Sequence, residues 1–519
     1  MNKKDYALSA LSGILTALAF PMFDLEILAW IGLVPLFFSL KDKNPLQSIY
    51  LGLIGGMAFY IILLYWIPVP IITYGKLPGP VGIFLLLLLA SYLSLYTATF
   101  AFLTSLFRIR LGFPLVLTAP AIWVSLELLM TYLFTGFPWG LLGYSQYLNL
   151  QVIQIADITG VYGISFAIVM VNAGIYRVME RYSEGLSFWR GRSIWAALFV
   201  FLTTIGYGYW SLKPLGVGAR HALPLRVGIV QGDIDQDRKW DREYQTETMD
   251  TYIELTKKVS EGGLDLVVWP ETAVPFYFQN DETYKPLILK TARDINSHIL
   301  FGSPAYSRER EEVRYYNSAF LISPGMEVID RYDKLHLVPF GEYVPLKKLL
   351  FFVDKMAEGI GDFSTGDRVK TLDMPGTKIG TLICYEGVFP NLTRKIVRKG
   401  ATLLVNITND AWFGNTSAPY QHLSMYSLRA VENRVPVIRA ANTGVSAFID
   451  VRGTIISRTG IFEKGYIKNR IETPGIDSPI TFYTRFGNLF AYLCALITSL
   501  IFAKVMFRGG TNKFISKKT

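Results

Sequence analysis

The chain has 519 residues, of which 51% are hydrophobic and 18% charged, and its mean hydropathy of +0.31 excludes an ordinary soluble protein. The formal net charge of +10 would suit a nucleic-acid partner, but its placement along the chain argues against one. Two cysteines in a chain of this length exclude a disulfide framework.

Eight apolar runs lie at about 7–23, 27–40, 48–68, 81–107, 114–135, 152–176, 193–212 and 485–507. A hydrocarbon core roughly 30 Å thick calls for about 18 or more such residues per spanning helix. The second run is short and reads as pairing with the first in a hairpin. The first, preceded by Lys3 and Lys4, reads as retained, because "LAFPMFDLE" has no clean small-x-small cleavage site. If the spans alternate, Lys3, Lys4, Lys41, Lys43, Arg108, Arg110, Arg177, Arg181, Arg190, Arg192, Arg508, Lys513, Lys517 and Lys518 share one side. The short loops of the other side hold only Lys76. That asymmetry predicts cytoplasmic termini and an outward-facing soluble domain.

The expected organisation is a seven-helix transmembrane bundle over 1–212, an extracytoplasmic domain over 213–484, a last spanning helix over 485–507 and a cytoplasmic tail over 508–519. Within the bundle, Glu127 and Asp157 read as helix–helix hydrogen-bonding groups. The stretch "FTGFPWGLLGYSQY" puts Trp139 and Tyr144 at the outward end of the fifth run, where an aromatic belt is expected. Cys494, inside the last run, reads as a packing residue.

Between 213 and 484 charges recur every few residues and apolar runs shrink to strand length. Strands are expected at 225–232, 264–270, 298–306, 315–323, 378–386, 401–408, 435–442 and 445–453, with helices at 243–261, 284–296 and 420–434. Several of the strands are continuous Val/Ile/Leu runs, as strands buried on both faces are. Strands alternating with helices predict a layered α/β domain. Polar residues follow the buried strands: Glu271 after "LVVWP", Cys384 at the end of "GTLIC", Asn409 and Asp410 after "LLVNIT". Side chains at strand ends can converge on one rim of a sheet.

Cys384 in "KIGTLICYEGVFP" is either a small core residue or a nucleophile. A nucleophilic thiol needs a proton acceptor and a donor for the oxyanion that forms. Of the four histidines, His221, His298, His336 and His422, none stands in a recognisable Cys/His setting. Glu271 in "VVWPETAVPF" is either a surface residue at a strand end or a general base whose acidity partial burial would weaken. "RYDKLHLVPFGEYVP" carries Lys334, an ammonium able to favour a thiolate, and Glu342, placed to orient it. There is no clustered His/Cys ligand set or phosphate-binding glycine loop, so neither a metal nor a cofactor is expected.

In this order, "WPETAVP", "YDKLHLVPFGEYVP" and "ICYEGVFP" resemble the nitrilase (carbon–nitrogen hydrolase) superfamily over roughly 225–475. Joined to the apolar runs, and with "TGFPWGLLGYSQ", "VQGDIDQDRKW", "NITNDAWFG", "QHLSMYSLRAVENR" and "RAANTGVSAFID", the chain is similar to the bacterial apolipoprotein N-acyltransferase family along almost its whole length. That resemblance implies a membrane protein with eight transmembrane helices and a nitrilase-like four-layer α-β-β-α sandwich. It implies a Glu271–Lys334–Cys384 triad, with the Tyr385 backbone N–H as a second oxyanion donor and Glu342 and Glu386 in support. It also implies a phospholipid acyl donor, a diacylglyceryl-cysteine lipoprotein as acceptor, and a place in the bacterial inner membrane.

Expected contacts with the acyl chains are Trp240, Trp412, Phe340 and Trp139, with 345–356 as an interfacial lid. Two other readings stay open: a membrane-tethered amidase in which water resolves the thioester, and a transporter with an external domain. The bundle shows neither an internal repeat nor an obvious ion path in support of the second.

Overall fold

The structure is a computed structural model and describes residues 1–187, 191–213, 223–309, 312–343 and 363–515. It divides into two units, one of Met1–Pro68, Pro80–Lys213 and Phe486–Thr519, the other of Val69–Gly79 and Pro214–Arg485.

The first unit is helical. Among the described residues, six helices are long and apolar enough to cross a membrane: Pro45–Leu63, Gly79–Leu111, Leu115–Thr135, Val161–Ser183, Arg192–Ser211 and Leu489–Phe507. The first expected span is the 16-residue helix Lys3–Leu18, started by an Asn2–Asp5 capping box. The second expected span, 27–40, is a 3-10 turn at Glu26–Trp30 followed by the six-residue helix Val34–Ser39, since Pro35 restarts the helix after Gly32. The sixth begins later than its apolar run, because Gly160, at φ 66, separates the short turn Ala156–Thr159 from the helix Val161–Ser183.

Buried polar groups tie these helices together. Glu127 Oε1 accepts from the Leu142 N–H at 2.7 Å and from Trp123 Nε1 at 2.9 Å. Asp157 accepts from the Tyr207 hydroxyl at 2.9 Å. Asp157 thus bonds from one helix to another as expected, whereas Glu127 bonds within its own helix and to the first N–H of the 3-10 turn Leu142–Gln146. Trp139 is 3% exposed and packs on Trp66, ring centroids 5.0 Å apart.

The second unit has two six-stranded sheets. With β1 Leu223–Gln231, β2 Leu266–Val268, β3 His298–Glu309, β4 Glu312–Ile322, β5 Val328–Asp333 and β12 Gly465–Thr473, the first runs β12-β1-β2-β3-β4-β5. With β6 Leu372–Met374, β7 Thr377–Ile383, β8 Leu403–Thr408, β9 Val437–Ala441, β10 Ala447–Ile449 and β11 Ile455–Arg458, the second runs β11-β10-β9-β8-β7-β6. Each is parallel at its centre and antiparallel at its edges.

The facing sheets share a core of Val227, Ile229, Val268, Leu300 and Leu321 against Ile379, Ile383, Val405, Ile407 and Ile438. The outer face of the first sheet is covered by helices Arg242–Val259 and Tyr284–Asp294. That of the second is covered by Pro390–Arg398 and Ala418–Asn433. The result is an α-β-β-α sandwich. Burial on both sides fits β8, "LLVNIT", which is mostly apolar and buried at every position. All eight expected strands are present. The four that were not expected, β5, β6, β11 and β12, are short or half-exposed edge strands whose apolar pattern is weak.

Candidate active site

The chain emerges from β2, β5, β7 and β8 on one rim, and each delivers a polar group there. Glu271 follows β2 by three residues, Lys334 follows β5 directly, Cys384 follows β7, and Asn409 and Asp410 follow β8. Gly302 in β3 makes room for the first of these. A Cβ there would lie 2.4 Å from the Thr272 nitrogen and 2.7 Å from the Glu271 Cα.

Three backbones at this rim are left-handed without being glycine: Thr272 at φ 51, Phe340 at φ 63 and Cys384 at φ 51. Such conformations cost on the order of 1–3 kcal/mol each and persist where the surroundings impose them.

Glu271, Lys334 and Glu342 form one buried network. Lys334 Nζ stands 2.9 Å from Glu342 and 3.6 Å from Glu271, with its side chain 1% exposed. Asn317 Nδ2, from β4, donates to Glu271 Oε1 and Glu342 Oε1, each at 2.8 Å. Glu271 Oε2 accepts from the Asn409 N–H at 2.9 Å, and Glu342 Oε2 from the Val338 N–H at 2.8 Å. Burial alone would discharge the Lys334 ammonium, but Glu342 and then Glu271 reverse this and hold its pKa above the usual lysine value.

Cys384 is partly exposed and lies beside both charges. Burial pushes its thiol up, the Glu271 carboxylate adds to that, and the Lys334 ammonium opposes it. The resting group is therefore a thiol with a carboxylate and an ammonium close by.

Glu386 joins the Lys334 strand end to the Cys384 turn. Fully buried, it accepts from Tyr332 Oη at 3.0 Å, the Leu335 N–H at 2.6 Å, the His336 N–H at 3.2 Å and the Ile383 N–H at 2.7 Å. Burial raises its pKa to about 7 against the pull of those donors. Tyr385 is buried, its ring edge-on to Phe389 at 5.0 Å. His336 lies over Phe389 at 3.8 Å, and burial, then the Lys334 charge, lowers it to about 4, so it is a neutral imidazole.

The residues expected to meet acyl chains are placed unevenly. Phe340 is 39% exposed, two residues before Glu342. Trp412 is half-buried in the turn after β8, its ring edge-on to Tyr74 at 4.9 Å, and the Tyr74 hydroxyl donates to the Ala411 carbonyl at 3.1 Å. Trp240 is half-buried before helix Arg242–Val259. Trp139 belongs to the helical unit. The expected lid, 345–356, lies outside the described residues.

Sequence reasoning missed three groups. Asn317 bridges the two glutamates, and its signal was a lone amide in the otherwise apolar "YYNSAFLI". Lys239, 2% exposed, donates to the Glu271 carbonyl at 3.0 Å, and burial lowers its pKa to about 8. The third is the set of buried partners that surround Asp410 behind Cys384: His422, Tyr426 and Arg439. Its signal was a set of charges within helical and strand patterns that are otherwise core.

Two family models match the chain, that of the apolipoprotein N-acyltransferase N-terminal domain over residues 12–174 and that of carbon-nitrogen hydrolase over residues 226–478. The apolipoprotein N-acyltransferase of Geobacter metallireducens is 46% identical over 508 residues, which cover 97% of this chain and 96% of the relative. That of Pasteurella multocida is 31% identical over 511 residues, covering 96% of each. A solved structure, that of Saccharomyces cerevisiae Nit3, a member of branch 10 of the nitrilase superfamily, is similar at 20% identity with a TM-score of 0.39, covering 51% of this chain and 95% of that one.

Proposed function

The chain belongs to the apolipoprotein N-acyltransferase family, and on that premise we propose that it moves an acyl chain from a phospholipid, through a thioester on Cys384, to the α-amino group of a lipoprotein's diacylglyceryl-cysteine. The observation that carries the reading is the single buried network of Glu271, Lys334 and Glu342 beside a partly exposed thiol.

Glu271 takes the thiol proton as sulfur attacks the ester carbonyl. Lys334 Nζ and the Tyr385 N–H receive the negative oxygen of the tetrahedral intermediate. Collapse breaks the ester C–O bond, Glu271 returns its proton to the departing lysophospholipid oxygen, and the thioester remains. In the second stage the amine nitrogen attacks that carbonyl, having a neutral fraction near pH 7 because its pKa is about 8. Glu271 accepts the amine's proton, the C–N bond forms, the C–S bond breaks, and the proton returns to sulfur.

Glu342 and Asn317 fix the ammonium and the base relative to each other, and Glu386 fixes the ammonium's strand end relative to the nucleophile's turn. Kinetics are ping-pong. Within the sandwich unit, Phe340, Trp412 and Trp240 are the residues that meet the acyl chains in this reading.

The helical unit spans the membrane in this reading. Lys3–Leu18 then pairs with the broken segment 26–39 as a hairpin, and with the six long helices they make eight crossings. The termini are cytoplasmic and the sandwich faces the periplasm of the inner membrane, on the strength of the Lys and Arg distribution.

Incubating the purified protein with phospholipid and measuring its intact mass tests the chemistry. The expected gain is one acyl chain, absent in Cys384→Ala and removed by hydroxylamine, and adding a diacylglyceryl peptide should discharge it as N-acyl peptide. Release of free fatty acid with no N-acyl peptide would instead make the protein a hydrolase. Labelling Lys43→Cys and Lys76→Cys, each in a chain whose own Cys384 and Cys494 are replaced by Ala, with an impermeant thiol reagent tests the orientation, and only the second should react from outside.

A further inference from the structure

Behind the Cys384 turn lies a line of buried donors that the mechanism above does not use. Tyr426, fully buried in helix Ala418–Asn433, donates its hydroxyl to the Cys384 carbonyl at 3.1 Å. His422 Nε2 is 3.5 Å from that hydroxyl and also reaches the Cys384 carbonyl. On the other side of the imidazole, Arg439 Nη2 is 3.2 Å from Nδ1. Arg439, itself fully buried, holds Asp410 Oδ2 and Asn406 Oδ1 and sits over the Tyr426 ring at 5.1 Å. Asp410 Oδ1 lies 3.2 Å from Nδ1 and accepts from Thr408 Oγ1 at 3.0 Å.

The Cys384 carbonyl and the Arg439 guanidinium, one on each side of the ring, call for the tautomer with Nε2 protonated; Asp410 Oδ1, 3.2 Å from Nδ1, calls for the other but has Thr408 as a donor already. Nδ1 then accepts from Arg439, Nε2–H points to the Tyr426 oxygen and the carbonyl, and Asp410 is satisfied by Thr408 and Arg439. Burial, then the Arg439 charge, lowers the His422 pKa, which keeps the ring neutral. Space has been cleared for the phenol: a Cβ on Gly387 would lie 2.1 Å from its oxygen.

The Cys384 carbonyl and the Tyr385 N–H are the two ends of one peptide group. A donor on the carbonyl oxygen draws electron density through that group and makes its N–H a stronger donor, as hydrogen bonds in chains polarise one another in a low dielectric. The same bond fixes the plane of a peptide whose preceding residue is left-handed.

We propose that Tyr426, backed by His422 and Arg439, is a positioning residue that orients and polarises the Cys384–Tyr385 peptide group as the oxyanion donor. This rests on the acyl-transfer reading and adds to it a group that touches neither substrate nor sulfur.

Tyr426→Phe in the full-length protein removes the hydroxyl and keeps the ring between Gly387 and Arg439. Thioester formation from phospholipid and discharge to the diacylglyceryl peptide should each slow about tenfold, with KM for both substrates unchanged. Alkylation of Cys384 by iodoacetamide builds no oxyanion, so its rate should stay within twofold of the unmodified protein. His422→Gln, which keeps a donor near the Nε2 position, should lose less than His422→Leu.

Equal acyl transfer by Tyr426→Phe and the unmodified protein would overturn the proposal. So would acylation and alkylation falling together, because that would mean a displaced sulfur rather than a weakened oxyanion donor. If the unmodified protein itself forms no thioester, the acyl-transfer reading has failed and this inference falls with it. That outcome is recognised in the control and not in the variant.

Discussion

Replacing Lys334 with Met separates what the buried network does for the fold from what it does for chemistry. The side chain keeps its length and loses its charge, leaving Glu271 and Glu342 facing each other across Asn317. At an effective dielectric constant of about 20, two unit charges attract by about 6 kcal/mol at the 2.9 Å of the Glu342 contact and about 5 kcal/mol at the 3.6 Å of the Glu271 contact. Losing the desolvation cost of the ammonium offsets much of this, so removing one partner of a buried pair leaves a net loss of about 3–5 kcal/mol. At roughly 2–4 °C per kcal/mol for a domain of this size, the sandwich should melt on the order of 10 °C lower.

The variant should also form no thioester, because one carboxylate takes up a proton and the oxyanion loses a charged donor. Adding Glu342→Gln removes one of the two unpaired carboxylates. The double variant should therefore recover about half of the lost melting temperature while intact mass still shows no acyl adduct. Thioester formation within tenfold of the unmodified protein by Lys334→Met, or its return in the double variant, would refute the reasoning.

Glu271→Gln removes both the proton acceptor and a negative charge beside the thiol. Acyl transfer should fall by about 10²–10⁴. The pH midpoint of Cys384 alkylation should meanwhile move down, since the carboxylate is one of the groups holding the thiol's pKa up, and an upward move would contradict the assignment. Glu386→Gln puts an amide where two oxygens accept from Tyr332 and three backbone N–H groups. One buried N–H is then unpaired at a cost of about 1–3 kcal/mol, and thioester formation, followed by mass, should slow 10- to 100-fold. Gly302→Ala drives a methyl into the Glu271 backbone. It should cost about 1–3 kcal/mol in a melting scan and lower acyl transfer more than tenfold with Cys384 still alkylated.

Burial patterns that repeat along the chain were legible in the sequence. The central strands show as mostly apolar runs because both of their faces are covered, and the helices over the sheets show as amphipathic periods. The edge strands β5 and β12 are half-exposed and composed largely of polar residues, so their place in the sheets comes from pairing with β4 and β1. In the helical unit, apolar length alone suggested a span at 27–40, and local backbone geometry broke it into a turn and a short helix. Hydropathy averages over a window and carries no record of where a helix stops.

Glu271, Lys334 and Cys384 stood out as candidates in the sequence alone, because each stands just past a strand in a short stretch of recognisable chemistry. What only the tertiary structure decided is which groups surround them. Asn317, Lys239 and Tyr426 look like ordinary polar residues of a strand, a loop and a helix. They reach the site because two sheets facing each other, with a helix over the second, bring residues more than a hundred positions apart to one rim. A buried charge needs partners from every direction in space, whereas the sequence displays its neighbours in one direction only.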